Sequence, residues 1–367
     1  MKHILIDGTP VSRQMDGLTQ YILNVVLRLD MLAFRYTLLL RPNQCPDYYM
    51  QQLRSTPICI EEVDIAPIGP LRDIQFARYL RSRDDFDAAF IPSNQYPRSL
   101  RLPAIYVVHD LIYEQFPEQL GKFSILKRWY LRRVVKVGLC RAKKVVAVSQ
   151  YTCDELIRCY GEKYRQKIQV IYEGWEHLLN SQVNEKSKVD IPFSQYLLYV
   201  GSSRGHKNLS RLIAAIQTCK YKLPANFGLV IVGNHRMFKP EELRLIDNLN
   251  HDHCIIYLTG WLSDDRLAYC FQHAKGFIFP SLCEGFGIPI LEAFYYQIPL
   301  LLSNQSSLPE VAGDAAIYFS PTDVEDIANT ILRFVEQQNF EILLAKQNQR
   351  LKQFSWNTTA AEISKIW

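Results

Sequence analysis

No apolar run in this 367-residue chain approaches the roughly 20 residues that a membrane-spanning helix needs. The opening Met1-Lys-His-Ile-Leu-Ile-Asp7 is too short in apolar residues for a signal peptide and predicts a first strand. None of the nine cysteines forms a Cys-x-x-Cys pair, and nine is an odd number, so free thiols in a reducing cytosol are expected rather than a disulfide framework. His251-Asp-His253-Cys254 carries metal-ligating residue types, but no second cluster with ligand spacing completes it. No internal repeat or low-complexity tract occurs. Between Glu118 and Asp154 there is no acidic residue. That gap holds Lys122, Lys127, Arg128, Arg132, Arg133, Lys136, Arg141, Lys143 and Lys144, which favours an anionic partner although the net charge is only +5.

What is present is ordinary globular material, 48% hydrophobic and 22% charged, in a length that suggests two domains. Short apolar runs alternate with longer helical patterns. The first series of predicted strands is His3–Ile6, Tyr36–Leu40, Ala88–Ile91, Ala104–Val108, Lys144–Val148 and Gln169–Tyr172. The second is Leu197–Val200, Gly228–Val232, Ile255–Leu258, Gly276–Phe279 and Pro299–Leu302. Strands alternating with helices imply parallel sheets covered on both faces, and two such series make two Rossmann-like α/β domains. The polar stretch Asn180–Asp190 is the expected linker, giving domains over residues 1–180 and 191–354. Ligands of such sheets bind beyond the carboxyl ends of the strands, so two facing domains would place their loops around one cleft.

The most informative stretch is Gly276 to Gln297. After the predicted strand comes a loop with Pro280, Ser281, Glu284, Gly285 and Gly287, and then a helix opening at Pro289, where a missing N–H costs nothing. Gly285 and Gly287 allow close backbone approach to a ligand, and the helix N-terminus behind them is partially positive. Glu284 and Glu292, the latter expected in the first helical turn, bracket the turn. This is an anion seat with an acid on each side, suited to a phosphate-linked polar substrate such as a sugar nucleotide. Earlier, Gly201-Ser-Ser-Arg-Gly-His-Lys207 turns from a strand into a helix, and Arg204 and Lys207 there could stabilise a leaving diphosphate without a metal. The same turn fits the Gly-x-Ser-x-Gly elbow of serine hydrolases, with Ser203 as nucleophile and His235, His251, His253 or His273 as partner. A third reading is a sugar-nucleotide binder without turnover.

Glu284-Gly-Phe-Gly and Glu292, seven residues apart, resemble the Glu-x7-Glu motif of family-4 retaining glycosyltransferases. Ser307-Leu-Pro-Glu-Val-Ala-Gly-Asp314, Ile317-Tyr-Phe-Ser-Pro321 and Lys207-Asn208-Leu209 are similar to that family too. The resemblance runs from Asp7 to Phe354-Ser-Trp356. It implies the GT-B architecture, two facing Rossmann-like domains with an interdomain active site, with residues 355–367 packing back on the first domain. It implies that His109, in Val107-Val108-His109-Asp110, faces the donor sugar and contributes to catalysis with Glu284. Arg204, Lys207 and the Gly285, Phe286 and Gly287 backbone would take the diphosphate, Glu292 the ribose, and the Thr259–Asp264 loop with Leu262 the base. Asp16-Gly17-Leu18-Thr19 resembles the family's first Gly-rich loop, with Asp16 in place of its first glycine and Gly17 left for close backbone approach.

Gly174-Trp175-Glu176-His177 and the chain length look like bacterial O-antigen mannosyltransferases. That implies GDP-mannose as donor, another nucleotide sugar being the alternative, and a lipid-linked saccharide as acceptor in lipopolysaccharide synthesis. No Asp-x-Asp lies in a cleft-like loop, so no metal cofactor is expected. The protein is expected to be cytoplasmic and peripheral to the inner membrane. On the amphipathic stretch Ile125–Lys136, Leu126, Tyr130, Val134 and Val137 form an apolar stripe expected in the core, while Arg128, Arg132 and Lys136 form a basic one. The basic stripe is either a solvated face or a membrane-surface contact. Nucleic acid is not expected, because no recognition module accompanies it.

Overall fold

A computed structural model describes residues 1–181, 183–234 and 238–367. The chain divides into two compact units, Met1–Gly174 with Ser355–Trp367, and Trp175–Phe354. The boundary thus falls after Gly174, ahead of the polar stretch expected to link the domains. That stretch instead carries the short 3-10 turn Glu185–Ser187 of the second unit, with another, Glu176–Asn180, leading into it. Gly174 is where the chain passes the returning C-terminal segment. A Cβ there would lie 2.0 Å from the Trp356 backbone nitrogen, so only glycine fits.

The first unit is built on seven parallel strands: β1 Lys2–Asp7, β2 Phe34–Leu40, β3 Cys59–Glu62, β4 Ala88–Ile91, β5 Ala104–Val108, β6 Lys144–Ala147 and β7 Ile168–Val170. Their order is β3-β2-β1-β4-β5-β6-β7. β1 sits between β2 and β4, with Ile4 opposite Tyr36 on one side and Ala88 on the other. β4 and β5 are buried throughout, as near-continuous apolar strands of a doubly covered sheet should be. The final helix, Trp356–Ser364, packs on the helix Gly17–Val26, with the buried Trp356 ring edge-on to Tyr21 at 5.7 Å. Thr359 Oγ1 donates to the Tyr172 carbonyl at 2.6 Å and pins it there.

The second unit holds β8 Gln195–Val200, β9 Phe227–Val232, β10 Ile256–Gly260, β11 Gly276–Phe279, β12 Leu300–Ser303 and β13 Ile317–Phe319, in the order β10-β9-β8-β11-β12-β13. In its own count the second sheet therefore runs 3-2-1-4-5-6, the Rossmann order, and the first runs the same with a seventh strand added after the sixth; the direction of winding reverses between β1 and β4 and between β8 and β11. The helices Leu209–Cys219 and Val324–Glu336 pack together over a core that includes Leu212, Ile213, Ile327 and Ile331.

Two strands are additions to the expected set. β3, Cys-Ile-Glu-Glu, is an edge strand with half its residues acidic, and β13 is three residues long, so neither makes an apolar run. The helix Ser124–Arg141 differs from its expected packing. Its buried residues are Val134, Val135, Gly138 and Leu139, whereas Leu126 is 65% exposed. Only its second half lies on the sheet, where Gly138 passes so close to Tyr106 that a Cβ would meet the ring at 2.5 Å. All nine cysteines are free thiols.

Candidate active site

In the second unit the reversal point between β8 and β11 brings two loops together, residues 201–208 and 280–287. Leu282 N donates to the His206 carbonyl at 2.7 Å, tying one loop to the other. Asn208 takes the left-handed conformation (φ 60°) and its amide donates to the carbonyls of Pro280 (3.0 Å) and Pro321 (2.7 Å). Asparagine tolerates that conformation and supplies the donor. His206 is buried, and desolvation pulls its pKa down to about 4, so it serves the site as a neutral strut.

On this frame Lys207 Nζ donates to Glu284 Oε1 at 2.8 Å and lies 5.3 Å from the Phe279 ring centroid. Glu284 is held from behind. Its backbone N–H donates to Ser306 Oγ at 3.1 Å, and Ser307 Oγ reaches its carbonyl and that of Phe286, both at 3.0 Å. Gly287 has φ 103° and precedes the helix Ile288–Tyr295. A Cβ there would be strained and would press on Leu308 at 3.0 Å. Phe286 is buried edge-on against Phe354 at 5.6 Å, so its side chain is core, and only its backbone could meet a ligand.

Glu292 stands in the second turn of that helix, not the first, because the helix opens at Ile288 and Pro289 is its second residue. Its Oε1 lies 3.9 Å from His177 Nε2. Asp264 belongs to the same cluster. Burial, with the Glu292 charge second, raises its pKa. Arg204 is exposed and precedes the turn Gly205–Lys207. Leu262 is buried just after β10, next to the exposed Trp261. Lys207, Glu284 and the Gly285–Gly287 backbone thus share one place, Glu292 lies one helical turn beyond Gly287, and Leu262 follows a different strand.

Ser203 does not have the setting of a nucleophile elbow. It is buried, its φ is not positive, and Oγ has no hydrogen-bond partner among the described residues. His251 contacts Asp252 and His273 contacts the Tyr269 carbonyl, while His235 lies outside the described residues.

In the first unit His109 follows β5. Its Nε2 is 3.0 Å from the Pro92 carbonyl, its Nδ1 is 3.4 Å from Glu173 Oε1, and the Tyr21 ring meets it edge-on at 4.6 Å. Its backbone N–H donates to Asn94 Oδ1 at 2.8 Å. No residue pattern points to Glu173 or Asn94, which belong to other segments. Asp16 is the cap of the helix Gly17–Val26, its carboxylate accepting from Thr19 N at 2.8 Å. Gly17 is the exposed first residue of that helix. Of the basic stripe, Arg128 donates to Glu114 Oε2 at 2.8 Å and Arg132 approaches Glu114 Oε1 at 3.3 Å, while Lys136 is exposed. Among the described residues no three His, Cys, Asp or Glu side chains converge as metal ligands would.

Residues 15–176 match the family model described as Glycosyltransferase Family 4, and residues 183–354 match that described as Glycosyl transferases group 1. The chain is a family-4 glycosyltransferase. The fold of this glycosyltransferase, two Rossmann-like parallel-sheet domains, is the GT-B fold. It is 29% identical over 265 residues to O-antigen chain mannosyltransferase B of Escherichia coli, covering 71% of this chain and 68% of that one. It is 28% identical over 312 residues to the serotype-specific mannosyltransferase WbdA of the same organism, covering 82% of this chain but only 37% of WbdA. With O-antigen chain mannosyltransferase RfbU of Salmonella typhimurium it shares 27% over 237 residues, 62% of each chain. Among solved structures it resembles HepE of Anabaena in complex with UDP and glucose (TM-score 0.75, 17% identity, 100% of this chain and 98% of that one). It also resembles WaaG, a glycosyltransferase involved in lipopolysaccharide biosynthesis (TM-score 0.68, 15% identity, 99% of each). Those two likenesses concern the fold alone.

Proposed function

We propose that this glycosyltransferase moves a mannosyl group from GDP-mannose to a hydroxyl of a lipid-linked saccharide, with retention of configuration, in O-antigen synthesis at the inner face of the cytoplasmic membrane. The observation that carries the reading is the Lys207–Glu284 pair, held at 2.8 Å by two interlocked loops at the reversal point of the second sheet. The names of the mannosyltransferase relatives support the sugar and the pathway.

In this reading the bond from the anomeric carbon to the β-phosphate oxygen breaks, and GDP leaves with the electron pair. The acceptor oxygen bonds to the anomeric carbon and its proton is released with GDP. Lys207, Arg204 and the Gly285–Gly287 amides balance the charge growing on the diphosphate, the part of the reaction where fixed donors act most strongly. No metal cofactor takes part. Glu284 accepts from the sugar hydroxyls once the diphosphate draws Lys207 away, and Glu292 holds the ribose. Leu262 lines the base, Gly17 approaches the donor phosphates, and His109, set by Pro92 and Glu173, supports the sugar as its anomeric carbon becomes positive.

A melting-temperature panel with GDP, UDP and ADP in excess EDTA tests the donor, since a ligand that binds only the native state raises the melting point. GDP is expected to give the largest rise, and transfer from GDP-mannose is expected to persist in EDTA. A larger rise with UDP or ADP would replace the donor. Loss of transfer in EDTA, restored by Mn²⁺, would overturn the account of the leaving group.

A further inference from the structure

The helix Ser124–Arg141 begins with side chains that nothing in the first unit covers. Phe123 is 74% exposed, Ile125 81%, Leu126 65% and Trp129 59%. A second group stands at the start of the helix Pro70–Arg81, where Ile68, Leu71 and Ile74 are each 58–65% exposed. The two groups belong to one side of the unit. Asp73, between Leu71 and Ile74, accepts from Arg98 Nε at 2.6 Å, and the Arg98 guanidinium lies 5.6 Å from the Tyr130 ring of the other helix. The topology gives them the same edge as well. Both helices follow parallel strands, β3 and β5, so their N-terminal turns lie beyond the carboxyl ends of those strands.

Exposed apolar side chains scattered singly are ordinary, but seven gathered at one edge are not. Their surroundings are cationic. Lys122, Lys127, Arg133 and Arg78 are all exposed, and the Arg133 guanidinium lies 5.3 Å from the Trp129 ring. Apolar side chains beside such a collar fit the boundary between headgroups and acyl chains, with the collar at the phosphates. A water-soluble protein partner could cover the apolar residues, but it would need its own acidic rim.

We infer that this edge of the first unit is an insertion face for an anionic lipid bilayer. Phe123, Ile125, Leu126 and Trp129 enter the boundary, Ile68, Leu71 and Ile74 rest beside them, and Lys122, Lys127, Arg133 and Arg78 contact headgroup phosphates. The inference deepens the proposal of a lipid-linked acceptor and rests on it for its purpose. It also moves the membrane contact away from Arg128 and Arg132, which are engaged by the buried Glu114. Insertion, unlike purely electrostatic docking, survives salt. At 1 M salt the Debye length falls to roughly 3 Å, while apolar burial is retained.

The test is co-sedimentation of the full chain with phosphatidylglycerol–phosphatidylcholine vesicles at low salt and in 1 M NaCl. Wild type is compared with the triple variant Phe123→Ser, Ile125→Ser, Trp129→Ser. The variant is expected to bind about tenfold or more weakly at low salt and to lose binding in 1 M NaCl, where wild type keeps a measurable fraction. Brominated lipids should quench wild-type tryptophan fluorescence, and Trp129→Phe should remove most of that quenching although the exposed Trp261 remains. Folding of the triple variant is checked by its GDP-induced melting shift, and its transfer to a short water-soluble acceptor should equal wild type. Equal vesicle binding by wild type and variant, binding abolished by salt alone, or no quenching would each overturn the inference. So would a wild-type dimer that the triple variant turns into a monomer, since a second copy would then own the face. Absence of transfer in wild type would defeat the functional proposal and leave the vesicle result to stand by itself.

Discussion

The two sheets reverse direction at equivalent places, and each reversal carries an ion pair, yet the pairs are of opposite kinds. In the first unit Asp7, at the end of β1, meets Arg72 with side-chain exposures of 0% and 2%. Every direction is filled. Arg72 also donates to Thr9 Oγ1, to the Ala66 carbonyl and to the Gln95 carbonyl, while Thr9 Oγ1 donates to Asp7. In the second unit Lys207 and Glu284 keep side-chain exposures of 21% and 11%, and Lys207 donates to a single carboxylate oxygen among the described residues. Three donors on an ammonium leave capacity for a second acceptor. An ion pair at a reversal point is therefore not in itself a site. The first pair locks a loop, whereas the second can be exchanged for a ligand.

The largest expected effect breaks the locked pair. Arg72→Ala leaves Asp7 buried without its cation, and removing one partner of a buried pair costs about 3–5 kcal/mol. Urea unfolding of wild type and variant measures it. A loss below about 1 kcal/mol would erase the contrast between the two pairs. The mirror experiment is Lys207→Ala. Partly exposed pairs are worth about 0–1 kcal/mol, so its stability should barely change. Its transfer rate should fall by about 10²–10³, as when one donor to a developing oxyanion is removed. Because the leaving-group charge is largest in the transition state, kcat should drop more than KM rises. An unchanged kcat with only a raised KM would mean that Lys207 binds donor and transition state alike.

The same contrast explains what could be read from the sequence. Both sheets were legible, because doubly covered parallel strands such as Ala104–Val108 are continuous apolar runs. β3 and β13 were not, since an acidic edge strand and a three-residue strand leave no run to see. Lys207 and Glu284 stood out by residue type and by neighbouring glycines, although 77 residues separate them and only the parallel pairing of β8 with β11 joins them. Arg72 and Asp7, 65 residues apart, looked like any charges, because burial is what makes them special. Ser306 and Glu173 were silent for a related reason. Each acts on a residue distant in sequence, through one hydrogen bond or contact that has no local pattern. The helix Ser124–Arg141 misled for a physical reason too. Its 3.6-residue period continues past the point where the sheet stops, so Leu126 keeps the rhythm of the core without reaching it.

The smallest effect probes whether the second pair is exchangeable. Glu284→Gln keeps the shape of the side chain and removes the charge that holds Lys207. The diphosphate of GDP and the carboxylate compete for one ammonium, so neutralising the carboxylate should favour GDP. A partly exposed pair is worth up to about 1 kcal/mol, which converts to roughly a fivefold tighter Kd. Transfer should fall, because an amide accepts less strongly from sugar hydroxyls than a carboxylate does and the anomeric carbon becomes positive nearby. Tighter binding of the product with slower turnover is a combination that simple damage to the loop would not give. Titration calorimetry with GDP reads the first half and initial rates with GDP-mannose the second. Weaker GDP binding by Glu284→Gln would show that the carboxylate holds Lys207 in position for the diphosphate rather than competing with it, and the pair in the second unit would then be as locked in function as Asp7–Arg72 is in structure.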